Sequence, residues 1–176
     1  MNHKTFLAAA AAAIAFAFSP LTAPTAAAKA PAAAPSIVDV AVAVNSSGPY
    51  AGQFDTLIAA VLAADPAVVT RLTSRGQSTV FAPVDAAFEE LGLTPETVSS
   101  VDPAVLTNIL LYHVVTGRRD SNDVLASSRL RTLQGGVLKQ AAGRLTDARG
   151  REATIIVVDV PASNGIIHAI DRVVLP

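Results

Sequence analysis

Two histidines, His113 and His168, are the residues best suited to proton transfer once the N-terminal leader described below is set aside. An imidazole titrates near neutral pH, so each qualifies as a general base or a metal ligand. His113 follows Tyr112 at the end of an apolar stretch. An imidazole in that setting can also serve a core, bonding a carboxylate or a backbone group. His168 alternates with Ile166 and Ile170, which turns it toward the apolar side of a strand. Asp171 falls on the other face of an ideal strand, so His168 and Asp171 make a poor dyad. Neither histidine stands in a close-spaced set with other ligand types, so no metal is expected.

Nucleophiles fare no better. The chain has no Cys and no G-x-S-x-G elbow. The pairs Ser46-Ser47, Ser99-Ser100 and Ser127-Ser128 sit in turn or helix-start contexts, where Ser is locally favoured. Gln134-Gly135-Gly136 is too short for a phosphate loop and lacks the Lys-Ser/Thr ending. No cofactor and no catalytic constellation are expected. Positive charge gathers in the second half: Arg118, Arg119, Arg129, Arg131, Arg144, Arg149 and Arg151. Such a group is either a solvated face or a patch for an acidic polysaccharide or acidic protein surface. Asp120, Asp123, Asp147 and Glu152 interleave with it.

The elements that must position these residues centre on Thr79 to Gly92, TVFAPVDAAFEELG. The spacing predicts a buried strand over Thr79 to Ala82, a stop at Pro83 and a helix over Ala86 to Leu91. Asp85 is expected to cap that helix, Phe88 and Leu91 to dock it on the sheet, and Gly92 to end it in a left-handed turn. Upstream, Ser36 to Val44 reads as a strand or as a helix capped by Ser36. Phe54, Leu57, Ile58, Val61 and Leu62 form one helical stripe. Asp65-Pro66 and Asp102-Pro103 each combine a cap with a first helical proline. The second opens a helix carrying Leu106, Ile109, Leu110 and His113 on one face.

Downstream the pattern turns strand-like. Strands are expected over Val114 to Arg118, Leu130 to Leu133, Val137 to Ala141, Thr154 to Val160 and Ile166 to Leu175. A helical turn capped by Ser121 lies between the first two, and Asn164-Gly165 marks a turn before the last. Helices first and strands later describe an α+β fold.

Length and composition limit the classes further. The chain has 176 residues with a formal net charge of −1. MNHK, an uncharged run from Phe6 to Phe18 and a small-residue stretch ending at Ala28 form the layout of a secretory signal peptide. We therefore expect residues 1–28 to be a leader, 29–35 a Pro/Ala-rich linker and 36–176 one domain, secreted to the periplasm or beyond the cell, with no transmembrane span after cleavage. The charge balance gives no footing for nucleic acid.

Three stretches resemble the fasciclin (FAS1) domain family: TVFAPVDAAFEEL, ILLYHVVTGR and SNGIIHAIDRVVLP, with TLQGG between the second and third. The resemblance runs from about residue 36 to 176. It implies a compact β-wedge or sandwich with several short helices packed on one side. It also implies a non-enzymatic adhesion or interaction module binding cell-surface or matrix protein or glycan. The alternative is a carrier of an apolar small molecule, a carotenoid-like pigment or lipid, in a helix–sheet groove. The residues carried over by the motifs are Thr79, Phe81, Ala82, Pro83, Asp85, Phe88, Tyr112, His113, Asn164, Gly165, His168 and Asp171. The first two motifs lie close in this fold, which makes Asp85 a candidate partner for His113.

Overall fold

The computed structural model describes residues 34–74 and 76–176; the expected leader, 1–28, and linker positions 29–33 lie outside the described residues. Helices dominate the first part of the described chain: α1 (Ile37–Ser46), α2 (Asp55–Ala63) and α3 (Pro66–Thr73) precede strand β1 (Ser78–Pro83). After it come α4 (Asp85–Glu89), α5 (Pro103–Tyr112), β2 (Val114–Thr116) and α6 (Ser121–Ala126). Strands β3 (Arg129–Arg131), β4 (Val137–Ala141), β5 (Arg144–Thr146), β6 (Glu152–Ala162) and β7 (Gly165–Ile170) follow. This is the α+β layering read from the sequence.

Ser36 decides the ambiguous first segment. Its hydroxyl accepts from the Asp39 amide while the Asp39 carboxylate bonds back to the Ser36 amide, and the segment is a helix. Asp65 and Asp102 cap α3 and α5, each accepting at 2.7 Å from the amide two residues on.

The strands form one sheet in the order β2-β1-β7-β6-β5-β4-β3. β1 and β7 run parallel and the other pairs antiparallel. Both parallel strands are buried along their whole length, as strands covered on two faces must be. A bridge between Val115 and Thr132 joins the two ends of the order, so the sheet curls back on itself. Two apolar cores result. One lies between the sheet and helices α1 to α5, with Phe54, Leu57, Val68, Phe88, Leu106 and Leu110. The other gathers inward residues of all seven strands and α6, among them Phe81, Leu130, Leu138, Leu145 and Ile170.

Several boundaries differ from the sequence reading. Pairing does not stop before Pro83, which stands opposite Ile170. The Phe81 amide, two residues earlier on the same edge, bonds His113 O beside β2. The missing N–H of Pro83 therefore faces the edge where β2 has already ended. Ser121 does not cap α6; Asp120 does, accepting from the Asp123 amide. The last strand ends at Ile170, not Leu175, because β1 ends opposite it and the amides beyond bond elsewhere: Val174 to His113 and Leu175 to Asp147. β5, three residues long, carried no periodic signal.

Candidate functional site

Asp85 begins α4 instead of preceding it, and no side chain caps that helix. Its carboxylate reaches across to α2 and accepts from the Asp55 amide at 3.2 Å and the Thr56 amide at 2.9 Å. α2 has no side-chain cap of its own, so Asp85 supplies a remote one and places a negative charge at a helix N-terminus. Asp85 does not cap its own helix, because as first helical residue it lies one position too late. It is not the partner of His113 either, because both nitrogens of that imidazole are engaged by backbone groups.

His113 is buried at the end of α5. Nδ1–H donates to Ile109 O at 2.8 Å, and Nε2 accepts from the Val174 amide at 3.2 Å. The His113 carbonyl accepts from the Phe81 amide at 2.9 Å. One residue thus ties α5, β1 and the C-terminal tail together. Burial pushes its pKa down to about 4, the nearby Arg151 cation adds to this, and the Ile109 acceptor and Asp147 charge oppose it. Tyr112 beside it is buried in the second core; its hydroxyl donates to Val137 O at 3.1 Å and accepts from the Ala148 amide at 3.2 Å. Burial pushes that phenol above its ordinary pKa.

Phe81 and His168 stack, with ring centroids 5.6 Å apart. The His168 Nδ1 accepts from the Asp159 amide at 3.2 Å, and Nε2–H donates to Arg119 O at 3.1 Å. Asp159 sits at a bulge of β6 with φ +60° and holds Ser121 through both its amide and hydroxyl. Thr79, also buried, donates to Gly117 O and accepts from the Arg119 amide. Asp171 is exposed and accepts from the Thr154 amide at 2.6 Å, with no bond to His168.

The third motif opens with a buried hub. Asn164 Oδ1 accepts from the Ile37 amide at 2.9 Å, and Nδ2 donates to Leu72 O and Ser74 O. Gly165 next to it cannot carry a side chain, since a Cβ there would meet Ser78 O at 1.9 Å. Ala82, Pro83 and Phe88 are plain core residues. The motif residues therefore divide. Phe81, His113 and His168 share one region, whereas Asp85, Asn164 and Asp171 each fasten a different junction. Among the described residues no group of three His, Asp or Glu side chains is placed to hold a metal.

Sequence reasoning missed Asp147. Its side chain is fully buried, and it accepts from the amides of Arg149, Arg151 and Leu175 and from Arg151 Nε. Burial alone would raise its pKa, but these donors together hold it below the ordinary value. Arg151 also donates to Val173 O. The available signal was local: an Asp whose side chain can bond the amide two residues on, within a turn of sequence DARGR. Arg118 was likewise read only as surface charge, yet it donates to Ala162 O and Gly165 O, both at 3.0 Å.

Two apolar cavities adjoin beneath α1. One of about 190 Å³ lies between α1, α2 and the sheet and is lined by Ile37, Leu57, Val61, Leu72, Val80 and Ile167 among others. The other, about 210 Å³, shares Ala41, Ala82 and Ile167 with it and is lined also by Tyr50 and Phe54. Among the described residues no single helix is long and apolar enough to cross a membrane.

The chain matches the fasciclin domain over residues 52–176. It is 37% identical over 143 residues to the uncharacterized protein sll1735 of Synechocystis, covering 80% of this chain and 98% of that one. It is 29% identical over 131 residues to the cell surface glycolipoprotein MPB83 of Mycobacterium bovis, covering 74% and 58% of the two chains. Among solved structures it resembles a FAS1 domain pair of the insect cell adhesion molecule Fasciclin I, with a TM-score of 0.50 and 19% identity over 65% of this chain and 42% of that one. The α+β fold matches that neighbour, and the chain belongs to the fasciclin domain family.

Proposed function

We propose that the protein is a secreted, non-catalytic interaction module that binds protein or glycan at a cell surface or in an extracellular matrix. The observation that carries this reading is the engagement of the residues best suited to chemistry. Both imidazoles use both ring nitrogens on backbone partners inside the fold. A general base needs a free nitrogen within reach of substrate, and neither offers one. The names of relatives, a cell surface glycolipoprotein and a cell adhesion molecule, point the same way. The test is retention: the purified protein, immobilised and exposed to cell-envelope material and culture supernatant, retains a saturable protein or glycan identified by mass spectrometry. Failure to retain any such component, together with turnover abolished by His113→Ala or His168→Ala in a hydrolase screen, overturns the reading.

The adjoining apolar cavities favour one second reading, a carrier of a pigment or lipid. Their walls are aliphatic, and α1, which roofs both, is half-buried or exposed at every position but Ile37. Extraction of the purified protein with organic solvent, followed by absorbance and mass spectra, checks it; a stoichiometric apolar compound is the expected result.

A further inference from the structure

The outward face of β3, β4 and β5 concentrates positive charge. Strand alternation turns Leu130, Leu138 and Leu145 inward and leaves Arg129, Arg131, Val137, Lys139, Arg144 and Thr146 outward. The register sets Arg129 directly opposite Lys139, and Lys139 directly opposite Thr146. Arg131 and Arg144 occupy the diagonal positions around Lys139, since they pair with Val137 and Ala141. Four cations thus share a three-stranded face. The carboxylate that reaches this face is Glu152, which pairs with Arg144 at 3.1 Å. Among the described residues Arg129, Arg131 and Lys139 form no ion pair.

Like charges directly opposite each other destabilise a strand pair. Guarding of a sheet edge explains cations on β3, the last strand in the order. It does not explain Lys139, which stands on the inner strand β4 between two neighbours. A chain with a net charge of −1 has enough carboxylates to neutralise this face. Among the described residues it nevertheless leaves three cations here without an acidic partner.

We infer that the outward face of β3–β5, through Arg129, Arg131 and Lys139, binds a linear anionic polysaccharide carrying carboxylate or sulfate groups. The face suits such a ligand better than a folded protein. It is a sheet surface with no aromatic anchor, and Val137 is its one large apolar side chain. Guanidinium groups bind carboxylate and sulfate oxygens in pairs, and the strand spacings distribute them in rows about 5 Å apart across strands and about 7 Å apart along them. The Thr146 and Thr154 hydroxyls on the same face add partners for sugar hydroxyls. This inference rests on the proposed interaction role and names its ligand chemistry.

The test uses the purified protein on immobilised heparin and on polygalacturonate, with neutral dextran, duplex DNA and an immobilised acidic protein as comparisons. The expected result is retention on both acidic polysaccharides, none on dextran, and weaker retention on DNA. Arg129→Glu/Lys139→Glu is expected to weaken polysaccharide binding at least 10-fold at 0.15 M salt. Arg71→Glu, an exposed cation on α3, is expected to leave it unchanged. Each single neutralisation, Arg129→Gln or Lys139→Gln, should flatten the log–log salt dependence by about one unit. Lys139→Gln should also leave the melting temperature unchanged or raised, because it removes a repulsive pair; a loss of binding caused by unfolding would lower it. Equal retention of the wild type and the double variant, binding only to DNA, or binding only to an acidic protein overturns the inference. Each of those outcomes leaves the interaction reading standing if envelope material is still retained by another face.

Discussion

His113 shows how a residue read for its chemistry serves the fold instead. Its imidazole is buried neutral, donating from one nitrogen and accepting at the other, and a proton on Nε2 would face the Val174 N–H. Its pKa in the folded protein is about 4 against an ordinary 6.5. Between those values the unfolded chain takes up a proton that the folded protein does not. The contribution of this residue is therefore complete above about pH 6.5 and is lost on acidification below that, the cumulative loss amounting to about 3 kcal/mol by pH 4. Urea unfolding of wild type and His113→Gln across pH 4–7.5 measures it. The wild-type curve is expected to fall more steeply by one proton, and parallel curves would refute the assignment. The Tyr-His pair was legible in the sequence, and so was the choice between a carboxylate and a backbone partner. The backbone partner itself was not, because Val174 is 61 residues away and its amide became available only when the last strand ended early.

Among the elements, α2 illustrates the division between local and remote control. Its apolar stripe was readable from spacing alone, and so were the Asp-Pro starts of α3 and α5, since each signal lies within a few residues of its effect. The cap of α2 was not readable, because it comes from Asp85, 29 residues downstream of Thr56. The same residue was assigned to its own helix by a rule that counts along the chain. Asp85→Ala is expected to cost about 1–2 kcal/mol, with Asp85→Asn less severe. Amide hydrogen exchange identifies which helix is affected. The Asp55 and Thr56 amides should exchange faster in the variant while those of Ala87 and Phe88 keep their wild-type rates. The opposite pattern would restore the local-cap reading. β5 and the bulges of β6 escaped for a different reason: a three-residue strand carries too few positions for alternation, and a bulge interrupts it.

At the scale of the whole molecule, Asp147 closes the fold by holding the C-terminal tail to the turn before β6. Four donors converge on its buried carboxylate, and one of them, Leu175, belongs to the tail. Asp147→Ala is expected to lower stability by about 2–4 kcal/mol, since it leaves the Arg151 cation and several amides without their acceptor. Denaturant titration would show an earlier midpoint at unchanged slope, and the Val174 and Leu175 amides should lose exchange protection. Because its pKa is held below the ordinary 3.8, the stabilisation it provides is present above that value and is lost as the pH falls through the folded pKa.

The junction at the start of β7 also sets where the chain enters the domain. Ser163 bonds Pro35 O and Asn164 bonds the Ile37 amide, so Pro35 is fixed at the β6–β7 turn. The cationic rows lie at the far end of β6, where Glu152 and Thr154 meet β5. The eleven residues of β6 separate the two by on the order of 30 Å of strand. The basic face and the point where the chain enters the domain therefore lie at opposite ends of one long strand.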